Sequence, residues 1–187
     1  ITRETPTQII ILAGEISSGK TTLLAEVYDQ FQNGPFAGFL FSGSRTLLGF
    51  EQRCHSARIA SGKSKSETER TKVIDPELLH LILKKKQKNI KEVALLFTDI
   101  SGERFKMVRD SSEECKKLEI LARADHFAML INGSELIDRK NRHKSYEDCR
   151  ALLRSTLDAE MLGKDTSVEI LFSKWDLIQP KRTKTTH

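Results

Sequence analysis

Gly14-Glu15-Ile16-Ser17-Ser18-Gly19-Lys20-Thr21 is a complete G-x-x-x-x-G-K-[ST] string, and its flanks decide the fold. Upstream, Ile9-Ile10-Ile11-Leu12-Ala13 is an unbroken apolar run, the pattern of a central parallel strand covered on both faces. Downstream, residues 22–31 place Leu23, Leu24, Val27, Tyr28 and Phe31 on one helical face, and Asn33-Gly34-Pro35 ends the helix. Strand, glycine loop and helix follow in the order that a phosphate-binding loop requires. The glycines let the backbone wrap a triphosphate, so that successive N–H groups and the helix N-terminus point at it. In such a loop Lys20 reaches the β- and γ-phosphates and the Thr21 hydroxyl ligates Mg²⁺.

Working outward, 187 residues suit one domain with a sizeable core. With 38% hydrophobic and 30% charged residues the composition is that of a soluble globular chain. No run approaches the ~20 apolar residues of a membrane span, and the first residues carry no signal-peptide pattern. Cys54, Cys115 and Cys149 are an odd set without metal-ligand spacing, which points to reduced thiols and a cytoplasmic location. The five histidines show no ligand spacing either. The net charge of +5 is concentrated in Lys84-Lys85-Lys86-Gln87-Lys88 and Lys181-Arg182-Thr183-Lys184, read as a solvated hairpin tip and a loose tail. No aromatic residues are interleaved with them, which speaks against a nucleic-acid partner. A chain that starts at Ile1 rather than Met reads as a processed product or a piece of something longer.

Along the chain, residues 36–41 read as a second strand and 45–60 as a helix with Leu47, Phe50, Cys54 and Ala57 on one stripe. Residues 61–75 open on a Ser-, Lys- and Glu-rich stretch, expected to be a mobile loop. Residues 77–86 alternate Leu79, Leu81 and Leu83, and a short polar turn joins them to Val93-Ala94-Leu95-Leu96-Phe97 as an antiparallel hairpin. Ser111 and Glu114 form a capping box for a helix reaching Ala124. Residues 127–131 are a buried strand, a long helix spans 138–162 with a candidate break at Ser145, and 168–172 is the last clear strand. The alternation predicts a three-layer α/β fold with a mainly parallel sheet and one antiparallel hairpin, in a single domain over 1–187.

Ligands of open α/β sheets gather at the carboxyl ends of the strands. Two further strands end in chemically useful strings. In Thr98-Asp99-Ile100-Ser101-Gly102-Glu103, Asp99 is placed to hold Mg²⁺ through a water and the Gly102 N–H to touch a γ-phosphate. In Ser173-Lys174-Trp175-Asp176, a carboxylate at a base edge accepts from both N1–H and the N2 amino group of guanine, donors that adenine lacks.

These three strings, in this order, resemble the Ras-like (TRAFAC) GTPases, from about Ile9 to Asp176. Residues 38–55, running Gly38-Phe39-Leu40-Phe41-Ser42-Gly43-Ser44-Arg45 and on to Cys54-His55, followed later by Thr98-Asp99-Ile100-Ser101-Gly102-Glu103, are more narrowly similar to the bacterial double-GTPase family, predicted components of conflict or defence systems. The strand and helix at about 36–60 are then an insertion between the first helix and switch I. The resemblance implies that Gly14, Ser17, Ser18, Gly19, Lys20, Thr21 and Thr22 hold phosphates and Mg²⁺, that Asp99 and Gly102 sense the γ-phosphate, and that Lys174 and Asp176 hold guanine. It also implies a switch I threonine on Mg²⁺, for which Thr71 is the candidate and Thr68 the next, and protein partners that read the switch segments.

Four departures qualify the pattern. Glu103 stands where Ras-like enzymes commonly use Gln to orient water, so hydrolysis is expected to be slow. Ile16 replaces a glycine and obstructs an arginine finger delivered in trans, while Arg70 is a candidate for one in cis. Ser173 replaces Asn. Eleven residues follow Asp176, too few for the usual final strand, guanine loop and helix, so either the chain continues or another element completes the base pocket. Three readings stand: a Mg²⁺-dependent GTP switch with slow hydrolysis by Lys20 and Glu103, a non-catalytic scaffold on the same fold, and a P-loop ATPase or kinase.

Overall fold

The computed structural model describes residues 5–61, 77–85 and 92–178. Its strands are β1 (Thr7–Ala13), β2 (Phe39–Gly43), β3 (Glu77–Lys85), β4 (Val93–Asp99), β5 (His126–Asn132) and β6 (Ser167–Ser173). They form one six-stranded sheet in the order β2-β3-β4-β1-β5-β6. β4, β1, β5 and β6 run parallel, and β3–β4 is the antiparallel hairpin expected from its short connection. β2 adds a second antiparallel pairing on β3, with a register shift between Phe41 and Gly43.

The period-2 alternation of β1 sends its side chains into two cores. Ile11 and Ala13 enter one with Phe105, Val108, Leu121, Phe127, Met129 and Leu152, whereas Leu12 enters the other with Leu24, Tyr28, Phe50, Leu79, Leu81 and Leu130. The second core lies under α1 (Lys20–Gln32) and α2 (Leu47–Ser61), where Tyr28 stacks on Phe50 at 5.0 Å between ring centroids. The first lies under α3 (Gly102–Asp110), α4 (Ser112–Lys116) and α6 (Arg142–Asp158), with the short α5 (Gly133–Ile137) leading into α6 and α7 (Trp175–Ile178) following β6. Sheet and two helical layers match the three-layer expectation. Leu47 departs from its predicted stripe and is exposed at the first turn of α2.

Several elements differ from the sequence reading: β2 starts at Phe39 rather than at residue 36, and the short helices α5 and α7 were not expected. The helix predicted from Ser111 to Ala124 stops at Lys116 and gives way to a 3₁₀ turn over Glu119–Arg123. The Ser111 hydroxyl does accept from the Glu114 N–H, at 3.4 Å. α3, at Gly102–Asp110, was not read as a helix; the Ser101 hydroxyl caps it by accepting from Arg104 N at 3.1 Å. The predicted helix over 138–162 begins only at Arg142, because Asp138 accepts from the Lys140 N–H at 2.9 Å and from Asn141 Nδ2 at 2.6 Å, closing a local turn. It runs unbroken through Ser145 and ends before Gly163: Glu160 takes a left-handed φ of 55°, with Glu160 N donating to Leu157 O and Met161 N to Thr156 O.

β6 is an edge strand among the described residues, and Val168, Ile170 and Phe172 on one face and Leu171 on the other are exposed. No described helix is long and apolar enough to cross a membrane.

Candidate functional site

Because β4, β1, β5 and β6 are parallel, the loops after all four open on one edge of the sheet. The strand order reverses around β1, whose loop therefore occupies the crevice where such folds take ligands. Gly14 and Gly19 take φ values of 152° and 94°. A Cβ on Gly14 would sit 2.7 Å from both Leu130 O and Ser18 Oγ, so only glycine lets the loop lie this close to β5. Ser17 also takes a left-handed φ, of 61°. Gly19 is the residue before α1, so the helix N-terminus faces into the loop.

Lys20 is 7% exposed, and its ammonium is held inside the loop. Nζ donates to Gly14 O at 2.8 Å, Glu15 O at 3.0 Å and Ser18 Oγ at 3.4 Å. Burial brings its pKa down to about 8, against the opposing pull of Asp99, Glu15 and Glu103. Those three carboxylates mark where the loop, the end of β4 and the start of α3 converge. Thr21 and Thr22 follow in the first turn of α1.

The second motif meets the loop directly. An added Cβ on Gly102 would lie 2.4 Å from Ile16 N and 2.6 Å from its Cα, so the N-terminus of α3 rests on the loop backbone. Glu103 follows in the first helical turn, where a carboxylate suits the helix dipole. Glu15 Oε1 reaches Arg109 Nη1 at 2.8 Å, fastening the loop to the other end of α3.

Asp99 is 2% exposed at the end of β4. Its Oδ2 accepts from Arg53 Nε at 2.7 Å and lies 2.6 Å from Arg53 Nη2. Arg53 comes from α2, and the sequence reading missed it. The available signal was its position between Phe50 and Ala57 on the apolar stripe, where an arginine needs a carboxylate to be buried. An oxygen donor set of a threonine hydroxyl and a buried carboxylate suits a hard cation such as Mg²⁺. Thr21 and Asp99 fit that role by chemistry and placement.

The third motif lies beside the loop. The Ser173 side chain approaches Gly19, with its Cβ 3.2 Å from where a Cβ on that glycine would be, and its hydroxyl donates to Ile131 O at 3.3 Å. Lys174 takes a left-handed φ of 50°, and Asp176 lies in the first turn of α7; both are exposed. Thr71, Thr68 and Arg70, and with them the predicted mobile loop, fall outside the described residues, as do the basic residues 181–184.

The Double-GTPase 2 family model matches residues 8–186. Among solved structures, the S. cerevisiae Ski7 GTPase-like domain bound to GDP and inorganic phosphate is similar over 90% of this chain and 43% of that one, with 14% identity and a TM-score of 0.40. The same domain bound to GTP gives 13% identity and a TM-score of 0.37 over the same shares. The chain thus spans less than half the length of those structures. Comparison with curated proteins gave no match.

Proposed function

The chain belongs to the Double-GTPase 2 family, and on that footing we propose that it is a Mg²⁺-dependent guanine-nucleotide switch, acting as a single domain, that hydrolyses GTP slowly. The observation that carries this reading is the seating of Gly102 on the Ile16 amide. It puts the motif that would sense a γ-phosphate against the loop that would hold one. A nucleotide changing from tri- to diphosphate would alter that contact, and α3 would carry the change outward.

Lys20 would neutralise charge on the β- and γ-phosphates once its ammonium turns from the loop carbonyls to the ligand. The N–H groups from Ser17 to Thr22 would cradle the phosphates. Thr21 and Asp99, with Thr71 as the switch I candidate, would hold Mg²⁺, which supplies charge neutralisation and orientation of the phosphates when bound. Glu103 would position the attacking water, at a cost from its charge beside the γ-phosphate. Lys174 and Asp176 would contact guanine. Protein partners reading α3 and the segment before β3, in a bacterial defence system and in the cytoplasm, complete the proposal.

Single-turnover hydrolysis tests it. GTP is expected to convert to GDP with Mg²⁺ at about 10⁻⁴ s⁻¹, the scale of such sites without an arginine finger, and Lys20→Ala should abolish conversion. GTP that stays bound and intact for days would instead favour a non-catalytic scaffold, a reading that the glutamate at position 103 supports.

A further inference from the structure

The apolar face of α2 carries one buried cation among the described residues. Arg53 follows Phe50 by three positions and precedes Ala57 by four, a spacing that turns all three toward the sheet. It is 9% exposed. Two carboxylates and a carbonyl meet it: Nη1 donates to Gly49 O at 2.9 Å, Nη2 lies 2.7 Å from Glu77 Oε2, and Nε and Nη2 converge on Asp99 Oδ2. Asp99 closes β4, whereas Glu77 opens β3 immediately after residues 62–76, where the candidate switch I threonine falls.

Resting on the Mg²⁺-nucleotide reading, we propose that Arg53 and the divalent cation compete for the Asp99 carboxylate, which makes α2 a built-in brake on metal binding. Two donors of one guanidinium on a single carboxylate oxygen offset the charge that this carboxylate offers to a metal or its water. Asp99 is shielded from solvent, so two cations around it repel with little screening. Metal entry therefore weakens the Arg53–Asp99 contact. Glu77 is the natural recipient of the released guanidinium, because its side chain is 68% exposed and holds its charge without a desolvation cost. The tether then shifts from the end of β4 toward the start of β3, and the packing of α2 responds to the metal.

A purely structural Arg53 would tie α2 to the sheet without affecting metal preference. The test is the affinity of fluorescently labelled GDP as Mg²⁺ is titrated. Arg53→Gln is expected to reach half of the Mg²⁺-induced tightening at about tenfold lower Mg²⁺ than wild type, within the usual range of coupling between sites. Glu77→Gln, a change at an exposed side chain, leaves Asp99 as the sole carboxylate of Arg53 among the described residues and should raise the requirement, an effect that shrinks in the Arg53→Gln background. Asp99→Asn should erase the difference between wild type and Arg53→Gln. An unchanged or higher Mg²⁺ requirement in folded Arg53→Gln overturns the competition, as does an unchanged requirement in Glu77→Gln. Wild type that binds GDP with no Mg²⁺ effect overturns the metal reading itself, and the competition with it.

Discussion

Glu15 Oε1 in the phosphate loop lies 2.8 Å from Arg109 Nη1 near the end of α3, and the same nitrogen lies 2.8 Å from Asp148 Oδ1 on α6. One guanidinium thus ties three elements around the loop, and its side chain is largely shielded from solvent. Burial holds the Glu15 carboxyl above its usual range, with Arg109 opposing the shift.

Removing Arg109 leaves the largely shielded Glu15 carboxylate without this partner, whereas Asp148 keeps Lys144, whose Nζ lies 3.0 Å from Oδ2. Arg109→Ala is expected to cost about 2 kcal/mol in urea unfolding, below the range for a fully buried pair because the site is partly solvated. Glu15→Gln keeps a hydrogen-bond acceptor and should cost less than half of that. Equal losses in the two variants would show that Glu15 is the dominant partner.

Gly102→Ala should act on the loop. Its Cβ would press on the Ile16 backbone, which cannot swing aside as a side-chain tip would, so α3 must lift from the loop. The expected loss is about 1–3 kcal/mol, the usual cost of overpacking, together with loss of discrimination between GTP and GDP. Gly163→Ala is the control, since its added Cβ would meet only Thr166 Oγ1, at 3.4 Å. Calorimetry and nucleotide competition measure the two effects.

His80 predicts a pH dependence. Burial, reinforced by the Arg45 charge, holds its pKa below 6.5. Nδ1 accepts from Arg45 N at 3.1 Å, and Nε2 is buried without a hydrogen-bond partner among the described residues. The unfolded chain therefore takes up this proton more readily than the folded one. The contribution of His80 is constant above about pH 6.5 and is lost as pH falls through that value toward the lower folded pKa. His80→Asn, which retains an acceptor near Nδ1, should flatten the fall in urea-derived stability between pH 7.5 and 5.5.

Glu103→Gln should remove a like charge from beside the proposed γ-phosphate. GTP hydrolysis in a single turnover is expected to rise about tenfold, with affinity for a GTP analogue increased and that for GDP unchanged. A fall in rate would make the carboxylate a required base.

How far the sequence reached follows from the range of the forces involved. β1, the phosphate loop and α1 are specified by contiguous residues, because strand patterning, glycine placement and helix periodicity are local. The β3–β4 hairpin was legible from its short connection. α3 was missed because its nine residues are mostly polar and its cap, Ser101, was read only as part of a metal motif. The late start of α6 depends on Asp138 engaging its own neighbours, which competes with helix formation and leaves no hydrophobic trace. Of the site, the loop and Gly102 lie in recognisable strings, whereas the seating of Gly102 on Ile16 comes from the packing of α3. The Arg53–Asp99 pair joins residues 46 positions apart through α2, and only tertiary packing brings them together.

The central claim is guanine-nucleotide binding by these three motifs. Equilibrium binding of GDP, a non-hydrolysable GTP analogue and ATP, each with Mg²⁺, should be measured for wild type, Lys20→Ala and Asp176→Asn. The expected result is preference for guanine over adenine nucleotides in wild type, loss of all binding in Lys20→Ala and loss of the guanine preference in Asp176→Asn. ATP bound as tightly as GTP, with Asp176→Asn indistinguishable from wild type, would contradict it.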